Sequence, residues 1–258
     1  MSEVFSMPSP AHKASYLEIV GNIAPALLKS LKMIFTGRIP IKQTISKASL
    51  IGYESLPMIM ILIAIGTSIL TLNTSIELVK QGGRDLIGAL IILANLREIV
   101  PIFIAFGIAA RCGTAFTAEV STMKVSDQID VLKVLKIDPI YYLLVPAVFS
   151  VILLAPLLLS ISTIVSVFTG MSVAKFSVNL EMSEFLDSAW KVVSLKDYLY
   201  PLIKTEIFCI YVVLVNIVMG LMCEGGAKEV GQTTTKATAL VVIGVILLDG
   251  ILTPLLYL

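Results

Sequence analysis

The chain of 258 residues is 57% hydrophobic and only 14% charged, with a mean hydropathy of +0.96, whereas soluble domains carry about 25% charged residues. Its 19 Lys and Arg against 18 Asp and Glu leave a net charge of +1, which excludes the concentrated basic face of a nucleic-acid-binding protein. Cys112, Cys209 and Cys223 are odd in number and scattered in or beside apolar runs, so they read as small core residues rather than a disulfide framework or a metal cluster.

The start, MSEVFSMPSPAHKASYLEIV, has no basic region followed by an uninterrupted apolar stretch, and no cleaved signal peptide is expected. Residues 14–50 precede the first long apolar run. Within them Leu17, Val20, Ala24, Leu27, Leu28, Leu31, Ile34 and Phe35 recur at helical spacing, while Lys29 and Lys32 fall on another face. This pattern predicts an amphipathic helix lying in the headgroup layer. Gly21 and Pro25 weaken it, and leave open an ordinary terminal helix packed on the bundle.

A membrane-spanning helix needs about 20 mostly apolar residues. Five runs meet that need, at 56–72, 86–110, 140–168, 198–223 and 237–258, and the expected fold is an all-α integral membrane protein forming one bundle. Five spans put the termini on opposite sides. With the N-terminus in the cytoplasm, the inner segments hold twelve Lys and Arg and the outer ones six, Lys204 counted among the latter. Basic residues are retained inside, so the N-terminus is placed in the cytoplasm and the C-terminus outside.

The second run contains Asn95, Arg97, Glu98 and Pro101. A charge at the centre of a spanning helix costs about 2.5–3.5 kcal/mol, so Arg97 and Glu98 must face protein or a wet cavity. Neighbours on a helix point about 100° apart, so the two are not an i,i+4 pair and at least one looks elsewhere for its partner. Asn95 shares a face with Glu98. Asp249, the one acid of the last run, suits either a hydrogen-bonded packing role or a proton relay, and pairing with Arg97 is open to it. An ion or proton path through Arg97, Glu98 and Asp249 would make the chain a secondary transporter or channel.

Between the second and third runs lies VSDQIDVLKVLKIDP, from Val125 to Pro139. As a helix from Ser126 it gathers Val125, Ile129, Val131, Leu132 and Leu135 on one arc, with Ser126, Asp130 and Lys133 on the other. Ser126 suits the N-cap, Asp127 and Asp130 the first turn, Lys133 and Lys136 the last, and Asp138-Pro139 ends the helix. It either lies on the membrane surface or docks a partner. Further on, GAKEVGQT at 226–233 imitates a phosphate-binding loop, but Gln232 stands in place of the essential lysine and no strand precedes it. His12 is the one histidine, and no hydrolase constellation is present.

The run from Asn95 to Pro139 resembles the MlaE/YrbE permease family, the membrane subunits of Mla-type lipid ABC transporters that work with MCE proteins. The resemblance rests on Leu96-Arg97-Glu98 followed by Pro101, on Arg111 with Gly113, on Thr117-Ala118-Glu119 and Met123, and on Gln128 through Ile137-Asp138-Pro139. The 224–236 segment leading to Asp249 is similar as well. The sequence departs from the family pattern at Val100, Ala110, Cys112, Ser121 and Lys136, each bulkier than usual there, so helix approach at these points is expected to be looser.

The resemblance implies one half of a permease homodimer in a bacterial inner membrane, with an interfacial helix and five spans. Its motor would be two copies of a cytoplasmic ABC ATPase, which alone would hold ATP and Mg, this chain binding no cofactor and having no enzymatic activity. A periplasmic ring of MCE protein would exchange phospholipid with it, and a small cytoplasmic accessory subunit would fit the same scheme. The segment 125–137 becomes a coupling helix, with Glu119, Met123, Asp127, Gln128, Asp130, Lys133 and Asp138 in the ATPase contact. Leu70 and Leu78 are expected to meet acyl chains, and Arg97 and Glu98 to be the polar groups of an outward-facing lipid cavity.

Overall fold

The computed structural model describes residues 16–37 and 39–257, and its regular elements are all helical. His12, Lys13, the first two residues of the 14–50 region, Arg38 and Leu258 lie outside the described residues, as do the side chains of Leu17 and Val20. The helices are α1 (Tyr16–Phe35), α2 (Ile41–Ser49), α3 (Leu56–Lys80), α4 (Ile87–Ala94), α5 (Val100–Ile108), α6 (Thr114–Val125), α7 (Gln128–Val134), α8 (Val145–Val178), α9 (Met182–Trp190), α10 (Lys196–Leu221) and α11 (Ala227–Tyr257).

Single π-helical turns at Leu50–Glu54, Asn95–Ile99, Ala109–Gly113 and Ile140–Leu144 join or lead into these helices without ending the coil. Five continuous segments long and apolar enough to cross a membrane result: Ile41–Lys80, Arg84–Val125, Ile140–Val178, Lys196–Leu221 and Ala227–Tyr257. The chain is a multi-pass membrane protein. Most of the segments outlast the apolar runs, because hydropathy marks the part that tolerates hydrocarbon, whereas Asn73, Glu77 and Thr233–Lys236 are polar but fit a helix. The GAKEVGQT segment accordingly forms the opening turns of α11. Pro146 and Pro156 both lie inside the continuous third segment, Pro146 just after its π turn and Pro156 within α8.

The chain divides into two units, one of residues up to Ser55, Ile108–Leu154 and Cys209–Val245, the other of Leu56–Gly107, Ala155–Phe208 and Ile246–Leu258. In the first, α1 packs on the π turn at Ile140–Leu144. Ala26 and Ser30 form its buried line, whereas Leu28 and Phe35 of the expected apolar face are exposed. Asn216 on α10 accepts a hydrogen bond from Thr117 Oγ1 at 2.8 Å through its own Oδ1 and donates to the Val212 carbonyl at 2.7 Å. Gly113 and Gly220 leave the room for this contact of α6 with α10, since a Cβ at either would stand 2.7 Å from Asn216 or Val120. Cys112, Cys209 and Cys223 are buried and form no disulfide.

In the second unit, α4 and α9 enclose a core of Ile87, Ile91, Leu96, Met171, Phe185 and Ala189. On α3, Ile59, Ile63, Thr67, Thr71 and Ser75 are buried at intervals of four, so one narrow line faces the bundle while Ile61, Ile65 and Ile69 point outward. Thr67 donates to Asn95 Oδ1 at 3.3 Å and Ser75 meets Ser177 at 3.1 Å, the small-residue hydrogen bonding that holds helices together where lipid offers no hydrophobic gain.

Gly88 has no tolerance for a side chain: a Cβ there would collide with the Phe185 carbonyl and Ser188 Oγ. Backbone cannot yield as a flexible side chain can, and overpacking costs about 1–3 kcal/mol. Gly88→Val is expected to lower the thermal transition of the detergent-solubilised protein by several degrees. Gly21→Ala, whose Cβ meets nothing within 4 Å, is expected to leave that transition unchanged or slightly raised.

Candidate functional site

Arg97 and Glu98 stand in the π turn Asn95–Ile99, and each finds its own partner, as adjacent helical positions require. Arg97 Nε and Nη2 donate to Asp197 Oδ1 at 3.0 and 2.6 Å. The other Asp197 oxygen accepts from the Ser194 amide at 3.0 Å and hydroxyl at 2.7 Å, which ties the turn before α10 to that helix's first turn. The Arg97 guanidinium also lies 4.8 Å from the Tyr257 ring centre, a cation–π contact. Asp197, not Asp249, is therefore the partner of Arg97.

Lys204 is fully buried, eight residues into α10, and does not belong to the outer loop in which the charge count placed it. Its ammonium lies 3.0 Å from Glu98 Oε2 and 2.6 Å from Asp249 Oδ1, and donates to Thr253 Oγ1 at 2.9 Å. It also donates to the Arg97 carbonyl at 2.7 Å. That last bond has a cause in sequence: an α-helical register would give this carbonyl the N–H of residue 101, which is Pro101 and has none. Lys204 supplies a donor in its place.

The cluster thus has a closed end and an open one. Lys204 has no exposure, whereas the Arg97 and Glu98 side chains keep 38% and 36% of theirs. At its open end a cation and an anion occupy adjacent positions of an apolar segment. Asn95 is buried beneath it. On α3, Leu70 is half-buried, and Leu78 packs against the α4–α9 core.

The residues expected at a motor contact lie in the first unit. The second-span helix ends at Val125, where Ser126 Oγ donates back to the Thr122 carbonyl at 2.7 Å. Ser126 therefore closes α6 and does not cap the next helix. Asp127, with φ of 59°, makes the left-handed corner, and α7 is shorter than the expected 125–137 helix. Ile129 is buried and Leu132 partly so, while Val131, Val134 and Leu135 are exposed, Val134 at 82%. Val131 and Leu135 thus leave the arc on which sequence spacing put them.

Around α7, Lys133 bonds Asp130 at 2.8 Å and Gln128 bonds Ser126 at 3.0 Å. The Lys133 hydrogen bond, then the charge of Lys124, hold the Asp130 carboxyl below its usual range. Asp138 accepts the Ile140 amide at 3.0 Å and pairs with Lys29 of α1. Glu119 pairs with Lys47, which lies over the Phe116 ring, and Met123 is half-buried beside it on α6. Lys136 has φ of 58°, so its departure from the usual glycine is a matter of left-handed backbone rather than helix approach.

Sequence spacing missed Asp197, Lys204, Thr253 and Tyr257. The Ser194-x-x-Asp197 spacing was visible, and so was a lysine near the start of the fourth apolar run; neither says which distant partner it meets. Removing the ammonium strands two carboxylates, and breaking a buried ion pair costs about 3–5 kcal/mol. Lys204→Met is expected to lower the thermal transition in lipid nanodiscs markedly, and adding Glu98→Gln with Asp249→Asn to recover most of the loss.

Comparison with known proteins covers most of the chain. The family described as Permease MlaE matches residues 44–255. A probable ABC transporter permease protein of Synechocystis is 31% identical over 87% of this chain and 85% of its own length. A probable ABC transporter permease protein of Pyropia yezoensis is 32% identical over 90% and 87%. The chloroplast protein TRIGALACTOSYLDIACYLGLYCEROL 1 of Arabidopsis thaliana is 29% identical over 87% of this chain and 64% of its own. The chain belongs to the MlaE permease family, the membrane subunits of ABC transporters, in which ATP hydrolysis is the work of a separate ATPase partner.

Proposed function

We propose that this permease moves phospholipid, receiving it against Arg97 and Glu98 and exchanging it with a periplasmic MCE-protein ring. One observation carries the reading: two opposite charges stay half-exposed in the middle of an apolar span, held there by a fully buried lysine. A phosphate suits Arg97, an amine suits Glu98, and acyl chains suit the surrounding apolar helix. The name of the Arabidopsis relative is that of a diacylglycerol glycolipid, which favours a diacylglycerol lipid as substrate without bearing on the phosphate. Leu70 and Leu78 are the proposed acyl-chain contacts of α3.

The chain acts as half of a homodimer in the bacterial inner membrane, with its N-terminus in the cytoplasm. The basic-residue asymmetry supports that orientation more strongly once Lys204 is removed from the outer segments. The α7 region is then the cytoplasmic coupling element. Val131, Val134 and Leu135 would seat in the ATPase, rimmed by Asp127, Gln128, Asp130 and Lys133, with Glu119, Met123 and Asp138 behind. ATP and Mg belong to that ATPase, a small cytoplasmic accessory subunit completes the assembly, and this chain contributes no cofactor site. An ion or proton path through Arg97, Glu98 and Asp249 has less support, because Lys204 ties Glu98 and Asp249 into one closed group.

The motor contact is tested in native membranes. Purified with native lipid, the wild-type chain is expected to retain an ABC ATPase. Asp130→Arg combined with Lys133→Glu, both exposed, is expected to reduce that retention more than tenfold without shifting the thermal transition. Loss of no ATPase from the variant, or absence of one from the wild type, contradicts the assignment.

A further inference from the structure

We propose that the apolar flank of α9 and the turn after it form a foot seated in the lipid headgroup layer, anchored by Trp190. Helix α9 lies between the end of the third spanning segment at Val178 and the start of the fourth at Lys196, so the chain places it at a membrane boundary. Its surroundings are asymmetric. Phe185 and Ala189 are buried against α4. On one side of that line Met182, Leu186 and Trp190 follow at intervals of four; on the other, Glu181, Glu184 and Asp187 follow at intervals of three. A helix with one buried line, one greasy flank and one acidic flank fits a surface where hydrocarbon lies on one side and water on the other.

The greasy flank continues beyond the helix. Trp190 is 75% exposed and Leu195 74%. Leu195, Leu199 and Ile203 then form an exposed line at intervals of four along α10. That line runs into a spanning segment, where an exposed apolar row meets lipid tails, so the foot is the upper end of a lipid-facing stripe. Its continuity with the stripe identifies the occupant as the bilayer rather than a protein. Lys191 and Lys196, both exposed, bracket the turn and can reach lipid phosphates, and tryptophan favours this depth.

The foot is also held rigidly. Arg84 donates to the Val178 and Asn179 carbonyls at 3.0 and 2.7 Å and lies 3.7 Å from Glu184, while Gly88 lets the α9 backbone close on α4. The inference needs only the membrane placement of the chain, so its failure would leave the substrate reading untouched.

Trp190 is the one tryptophan in the sequence, so intrinsic fluorescence reports this site alone. The full chain is reconstituted in phosphatidylethanolamine–phosphatidylglycerol vesicles, with no other protein. The expected result is a blue-shifted emission, several-fold protection from aqueous iodide, and stronger quenching by lipids brominated near the glycerol end of the acyl chain than near the methyl end. Emission and iodide access like those of free tryptophan would overturn the proposal, as would protection that arises only on adding a partner protein. Strongest quenching from methyl-end bromines would overturn it too, by placing the residue deep in the span. Leu195→Trp in a Trp190→Phe background is expected to give the same shallow profile, and a water-exposed profile there would count against the foot.

Discussion

A lysine ammonium without access to water, inside a membrane-spanning helix, is the constraint around which half of this protein is arranged. Lys204 is tolerated because four groups converge on it: two carboxylates, a hydroxyl and a main-chain carbonyl. They come from two helical segments, the π turn of the second span and α11, so the lysine ties both of these to its own helix, α10. The carbonyl is the telling member. Pro101 deprives it of its helical donor, and an unpaired carbonyl in a nonpolar setting costs several kcal/mol. The bond to this carbonyl and the pair with Glu98 tie the lysine to the π turn that carries Arg97 and Glu98.

This arrangement lets one span carry charges that hydrocarbon would reject. Arg97 has its own acid and an aromatic ring, and Glu98 shares the lysine, so both remain part-exposed without being unpaired. On the proposed function, groups already paired in this way would offer a headgroup a second partner rather than a first one. The unit that holds α7 solves a different problem. There Glu119–Lys47, Arg111–Glu54 and Asp138–Lys29 brace helix ends and turns, while Val131, Val134 and Leu135 of the α7 region stay exposed. The family's division of labour, a membrane subunit with a separate ATPase, agrees with a chain whose phosphate-loop imitation is merely the start of a helix.

Much of the fold was legible because the solvent is so restrictive. Five apolar runs became five spanning segments, and adjacency indicated that at least one of Arg97 and Glu98 would find its partner on another helix. What was illegible falls into two kinds. Long-range pairing was invisible: Lys204 stood near the start of the fourth apolar run and was counted with the outer charges, its acids lying 106 and 45 positions away on other helices. Local backbone choices were invisible as well. Ser126 looked like a cap, but the left-handed corner at Asp127 made it the end of α6 instead, and the π turns leave no mark in hydrophobic spacing. At Lys136, bulk suggested a packing defect where the backbone angle is what a glycine would ease.

The claim at the centre of this account is that the charged edge of the cluster is where phospholipid is held. Photo-crosslinking with a benzophenone amino acid at position 98, after exhaustive detergent exchange and with mass spectrometry of the adducts, tests it directly, with position 246 on the exposed face of α11 as the reference. The account expects a phospholipid adduct at 98 well above the level at 246. Equal yields at the two positions, or no lipid adduct at 98, would contradict it.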